Sequence, residues 1–356
     1  MRYLKNANIP YSRLHDVGGV FGGNRFVDIS NIFRDFNADV NDPASYEFEF
    51  TDALIEAMIE NNVNPLFRLG ETIENQMTIK AIRIHPPKDY LKWAQICEHI
   101  IRHYNEGWAD GYAYGIEYWE IWGEPDNGPT PKTNQLWTGT PEQYYELYDV
   151  TAKHLKACFG DSIKIGGYGA CEFTAVFYDP QKYGVNYPQK AIDGRYEKET
   201  FRLEFFLNFV KHIKKSQAPI DFFSWHSYTD VEKTFIMNEF VRRILTENGY
   251  SDVEILLDEW NNAHTVKDHG TSYASAAAAS MMLAMQDSSV DMLCYYDARF
   301  TATIYGGFFA PLTCEPLCTY YSFVAFGRLY ALGTQVKTEV SCNESGLYAI
   351  CATYNA

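Results

Sequence analysis

Short apolar runs alternate with longer amphipathic segments along most of this 356-residue chain, and eight such runs can be counted. Two of them end in a glutamate beside tryptophan. The alternation predicts an α/β chain of βα units on a parallel sheet, and eight is the number that closes a (β/α)8 TIM barrel. Hydrophobic residues make up 46% of the chain, enough to fill such a core, so a disordered chain is excluded.

The candidate strands are residues 9–15, 27–33, 64–70, 115–122, 163–167, 220–226, 253–260 and 291–297. Helical periodicity fills the intervals at 51–61, 89–104, 141–159, 200–216, 231–248 and 272–287. In the first of these, Leu54, Ile55, Met58 and Ile59 share one face, and Thr51 is placed to cap it. The last contains SAAAASMMLAM, a strong helix former whose small residues allow close packing on a barrel wall. Three irregular stretches, 123–140, 168–197 and 299–317, each follow a strand. In a barrel they would lie at the C-terminal face, where catalytic walls are built. From residue 332 the pattern changes. An apolar run at 336–340, a turn at Asn343-Glu344-Ser345-Gly346 and a second run at 347–353 predict a β-hairpin. The expected division is therefore a catalytic barrel over 1–331 and, over 332–356, the start of a small accessory β-sandwich.

The formal net charge of −16, with no dense basic run, excludes nucleic acid as a partner. Aromatic residues make up 16%, which suits both a large core and the stacking of pyranose faces. Of eight cysteines only Cys314 and Cys318 are close, with no second ligand pair, so no metal or other cofactor is expected. The N-terminal MRYLKNANIPYS has no apolar signal core, and no apolar run reaches the roughly 18 residues of a membrane span. A cytoplasmic protein without a membrane partner is expected, unless a leader has been removed.

Chemistry concentrates at two strand ends. In Tyr118-Trp119-Glu120-Ile121-Trp122-Gly123-Glu124-Pro125-Asp126-Asn127, alternation puts Glu120, Trp122 and Glu124 on one side, and Glu124 stands before a proline that stops sheet pairing. In Ile255-Leu256-Leu257-Asp258-Glu259-Trp260, an apolar strand ends abruptly in acids. Acetal hydrolysis needs two such carboxylates, one to protonate the leaving oxygen and one to attack the anomeric carbon. The fourth and seventh strands of a closed barrel face each other across the lumen and can bring them roughly 5–5.5 Å apart, the spacing of a retaining enzyme.

These motifs, with Tyr11-Ser12-Arg13-Leu14-His15-Asp16 on the first candidate strand and Trp225-His226-Ser227-Tyr228 on the sixth, resemble the clan of retaining (β/α)8 glycosidases. Within it the chain is most similar to glycoside hydrolase family 39, which includes β-xylosidases and α-L-iduronidases. The resemblance implies Glu124 as general acid/base and Glu259 as nucleophile, acting on an oligosaccharide or glycoside. It implies that Tyr228 hydrogen-bonds the nucleophile, that His226 touches a sugar hydroxyl or the acid/base region, and that His15 binds a sugar hydroxyl. Trp260 is either a stacking wall or a packed core ring.

The chain departs from the family at the sugar. Gly123 stands where the clan has an asparagine on the sugar 2-hydroxyl, Arg68 where the family has an acid, and Tyr295-Tyr296-Asp297-Ala298-Arg299 where β-xylosidases present a tryptophan. Gly123, Tyr296, Asp297 and Arg299 thereby join the substrate-binding candidates, Arg299 either for a carboxylate or as a partner of Asp297. An exo-acting retaining glycosidase is expected, with a bell-shaped pH profile. The alternative is a catalytically weak carbohydrate-binding barrel with a modified sugar subsite.

Overall fold

The computed structural model describes residues 1–15, 27–72, 84–298, 305–341 and 346–354. Among these, seven strands form one parallel sheet in chain order: β1 Tyr11–Leu14, β2 Asn64–Leu69, β3 Tyr118–Ile121, β4 Lys164–Ala170, β5 Phe222–Ser227, β6 Glu254–Trp260 and β7 Met292–Tyr295. The sheet curls until β7 approaches β1, giving the architecture of a (β/α)8 barrel.

Nine helices are described: α1 Arg2–Asn6, α2 Ile29–Ile32, α3 Glu49–Ile59, α4 Tyr90–Glu106, α5 Pro141–Phe159, α6 Tyr196–Ser216, α7 Val231–Glu247, α8 Ser272–Met285 and α9 Cys318–Tyr330. Their starts follow from local chemistry. Asp89, Asp230 and Thr271 each accept a backbone N–H from the first turn of α4, α7 and α8. At α5, Thr140 and Gln143 form a reciprocal capping box with Pro141 next in the chain. No helix among the described residues is long and apolar enough to cross a membrane.

Two predicted elements need correction. Residues 27–33 are not a strand. Asp28 is extended and Ile29–Ile32 is one helical turn, because Ile29, Ile32 and Phe33 follow helical spacing and all three are buried. The strands counted as fourth and seventh in the sequence are therefore β3 and β6. Helix α3 starts at Glu49, so Thr51 lies inside it, buried, and does not cap it. The two-stranded antiparallel ribbon near the C-terminus pairs β8 Gly333–Val336 with β9 Cys351–Tyr354, slightly offset from the predicted runs.

The barrel interior is layered. Tyr11, Leu66, Tyr118, Phe222, Leu256 and Met292, one from each of six strands, form an apolar plug. Two residues further along those strands stand Arg13, Arg68, Glu120, Ser224, Asp258 and Cys294, since side chains two apart share a face. The lumen thus passes from hydrocarbon to a layer of buried ions below the site.

Candidate active site

Glu124 follows β3 in a left-handed backbone conformation, φ 44°, its N–H donating to the carbonyls of Tyr168 and Gly169 at 3.1 Å. This swings its carboxylate over the lumen. Asn127 Nδ2 donates to Glu124 Oε2 at 2.6 Å, and His226 Nδ1 lies 2.8 Å from Oε1.

Glu259 reaches the same space by a different device. Strict alternation would send Asp258 and Glu259 to opposite faces. Along β6, however, Trp225 pairs with Leu257 and His226 with Glu259, so Asp258 is the extra residue of a β-bulge. Both carboxylates then turn inward onto Arg13. Its Nη1 is 2.7 Å from Glu259 Oε1, its Nε 2.8 Å from Asp258 Oδ2, and its Nη2 2.7 Å from Glu120 Oε2. Tyr228 Oη donates to Glu259 Oε2 at 2.7 Å. One carboxylate oxygen each of Glu124 and Glu259 and a ring nitrogen of His226 lie within 4.8 Å of one another.

These groups are nearly all shielded from water, so their charges depend on one another. Burial works against the Arg13 charge, but Asp258, Glu120 and Glu259 outweigh it and hold the guanidinium firmly charged. Burial pushes Glu120 up to about 8 despite Arg13, with Asp258 adding to the rise. Burial also raises the Glu259 carboxyl, against the pull of His226 and Arg13. It would raise Glu124 too, but the hydrogen bond and charge of His226, with Arg202 behind them, bring Glu124 down to about 2. Gly169 leaves room for this assembly. Its φ is 56°, and a Cβ there would come within 2.8 Å of Arg13 Nη2 and 3.1 Å of His226 Nε2.

Several sequence candidates converge here. His15 Nε2 is 3.5 Å from Glu259 Oε1. The Tyr296 ring stands edge-on to Tyr305 and near Tyr228 and His15, forming one wall. Gly123 adjoins Arg13 and Arg68, and a Cβ there would meet only ordinary contacts, the nearest at 3.4 Å. Asp297 is buried close to Tyr295. Trp260 has no exposed surface and packs on Tyr295 and Phe323, so of its two predicted uses the structure shows the core ring and corrects its place among the substrate-binding residues. Arg299 lies outside the described residues.

Arg13, Glu120, Asp258 and Asn127 were not singled out as site residues. Arg13 carried a usable signal, since it alternates with His15 on one strand and so faces the same lumen. Away from the cleft, Glu98 on α4 and His154 and Cys158 on α5 also bring ligand atoms within 4.8 Å of one another. Glu98 already takes Arg102 on one oxygen and His154 on the other, so these groups satisfy each other across two helices.

The family profile described as glycosyl hydrolases family 39 matches residues 22–305. The chain belongs to that family. It is 22% identical over 343 residues to a β-xylosidase of Geobacillus stearothermophilus, covering 85% of this chain and 60% of that protein. It is 24% identical over 305 residues to a β-xylosidase of Caldicellulosiruptor saccharolyticus, covering 77% of this chain and 52% of that one. This family 39 chain thus spans little more than half the length of these two relatives. Among solved structures it resembles a glucosidase from Croceicoccus marinus, with a TM-score of 0.69 and 25% identity over 92% of this chain and 62% of that one. A family 39 β-xylosidase from Caulobacter crescentus shares the fold at a TM-score of 0.59 and 17% identity, over 92% of this chain and 66% of that one.

Proposed function

We propose that this family 39 chain is a retaining, exo-acting glycoside hydrolase that works by double displacement on a β-xyloside or related sugar at a non-reducing end. The observation that carries the reading is the placement of carboxylate oxygens of Glu124 and Glu259 within 4.8 Å of each other at the ends of β3 and β6. This fits the roughly 5–5.5 Å of retaining enzymes and falls short of the roughly 6.5–9.5 Å of inverting ones. Glu259, gripped by Arg13 and Tyr228, is aimed as the nucleophile. Glu124 is the acid/base. The assembled pair favours catalysis over carbohydrate binding alone. The β-xylosidase relatives support the substrate class.

Leaving-group dependence tests the roles. Glu124→Ala should lose about 10²–10⁴-fold on 4-nitrophenyl β-D-xyloside, the usual worth of a general acid. It should lose much less on the 2,4-dinitrophenyl glycoside, whose leaving group needs no proton. Equal losses on both would remove Glu124 from the acid role. Azide should rescue Glu124→Ala and give a product of retained configuration.

Gly123 bears on which sugar is preferred. A Cβ at Gly123 meets only ordinary contacts, so Gly123→Asn should fold and supply the hydrogen bond to the sugar 2-hydroxyl that the resemblance to the clan implies. One neutral hydrogen bond gained in the transition state corresponds to about a tenfold rise in kcat/KM on the xyloside. A fall would mean that the pocket is shaped for a sugar substituted or turned at that position.

A further inference from the structure

The protons around Glu124 raise a problem that the family reading leaves open. The first half of double displacement needs Glu124 protonated, yet its nearest charged neighbour is a histidine that stabilises the ionised form. The geometry of that histidine resolves it. His226 is 1% exposed, and both its ring nitrogens face carboxylates, Nδ1 at 2.8 Å from Glu124 Oε1 and Nε2 at 3.4 Å from Asp258 Oδ1. Only Nδ1 makes a hydrogen bond, and Nε2 meets Asp258 as a charge contact, so the carboxylates on both sides favour the imidazolium over the neutral ring. We propose that His226 stores the proton that Glu124 delivers to the leaving group, and that Asp258 is a positioning residue that orients the ring for this exchange. The proposal rests on Glu124 being the acid/base.

The groups facing the ring fit this role. Glu124 and Glu120 come from the β3 side, Asp258 and Glu259 from β6, and Arg13 from β1. Burial disfavours the ring's charge, but Glu259, Asp258 and Glu124 outweigh it, so the ring keeps its proton well above the ordinary histidine range. Arg13 ties Asp258 and Glu120 in place beneath it. Asp258 points inward by alternation from Leu256, and the bulge brings Glu259 to the same side.

The step balances simply. On substrate binding the Nδ1–H bond breaks and an O–H bond forms on Glu124 Oε1, leaving a neutral ring that keeps its proton on Nε2, the nitrogen facing Asp258. Glu124 passes this proton to the glycosidic oxygen, which takes the electron pair of the breaking C–O bond, while Glu259 bonds to the anomeric carbon. In the second half Glu124 takes a proton from the attacking water, the water oxygen displaces Glu259, and the proton returns to Nδ1.

The direction of a pH shift decides the matter. When ring and acid share one proton, the alkaline limb of kcat/KM reports its loss from the pair. His226→Asn, which can hydrogen-bond but not store a proton, should move that limb on 4-nitrophenyl β-D-xyloside to lower pH by about one unit or more. Asp258→Asn should move it the same way by less. If Glu124 held its own proton, removing the imidazolium would let its carboxyl rise and the limb would move to higher pH. That result, or an unmoved limb in His226→Asn, overturns the proposal. An unmoved limb in Asp258→Asn alone overturns the part given to Asp258. Circular dichroism and the thermal midpoint report whether each variant is folded, and the response of Glu124→Ala to the two leaving groups tests the acid/base reading separately. Independently of any substrate, ¹⁵N spectra should show both His226 ring nitrogens protonated at neutral pH in the free protein, the signal being identified by its loss in His226→Asn. A neutral ring there overturns the proposal whatever the kinetics show.

Discussion

Glu259→Ala should reduce kcat on aryl β-D-xylosides by on the order of 10⁴-fold or more, because it removes the group that forms the covalent intermediate. Unlike Glu124→Ala, it should spare neither the nitrophenyl nor the dinitrophenyl substrate, since a good leaving group does not replace a nucleophile. Azide separates the two further. In Glu259→Ala it attacks from the vacated face and gives the inverted glycosyl azide. Glu259→Gln is the control for folding, as its amide keeps the shape of the side chain and an acceptor for Tyr228 Oη, which lies 2.7 Å from Glu259 Oε2. Chromatographic or NMR assignment of the product anomer, with rates on both substrates, checks the expectation. Wild-type turnover by Glu259→Gln after removal of any contaminating enzyme would move the nucleophile elsewhere.

How far such roles were legible depends on what each one rests on. The ends of β3 and β6 stand out because an apolar run stops at an acid with tryptophan beside it, a pattern that a buried strand has no need of. Tyr228 followed from a motif, and the structure places its hydroxyl on Glu259. The run 27–33 suggests a strand by apolar content alone, but its spacing is helical. Ile29, Ile32 and Phe33 fit a helical turn, whereas a strand would have put Asn31 on the apolar face. Asp258 was hidden for another reason. Alternation from Leu256 points it inward but would send Glu259 outward, and only the extra residue opposite Trp225 and His226 puts both on the lumen side. A bulge is a property of two paired strands and is not written in either one. The partners of Arg13 likewise come from β3 and β6, so its orientation was readable but its charge network was not.

That network sets the second large effect. Arg13 is the cation shared by Glu120, Asp258 and Glu259, all of them buried. Arg13→Met keeps most of the side-chain volume and removes the charge, so the loss is electrostatic rather than a cavity. Removing one partner of a buried ion pair costs about 3–5 kcal/mol, read as a lower denaturant midpoint at neutral pH. The pH dependence identifies the cause. Burial pushes Asp258 up, but Arg13 and His226 outweigh it and hold the carboxyl below its ordinary value. A carboxyl held low stabilises the fold above its unfolded pKa, and that stability is lost only as pH falls through the folded value. Without Arg13, burial wins and the carboxyls rise above their unfolded values. The folded state then binds more protons than the unfolded one, so the variant loses stability as pH rises through that window. The deficit of Arg13→Met should therefore be largest near neutral pH and shrink towards acid, where the same carboxyls are protonated in both states. Glu120→Gln provides the contrast. Burial raises Glu120 to about 8 while Asp258 is held below its ordinary value, so Glu120 is the weaker partner of Arg13 and its amide should cost less stability than the loss of Arg13. Denaturation curves for the three proteins at acidic and neutral pH check the sign, and a deficit for Arg13→Met that stays constant with pH would place its cause in packing.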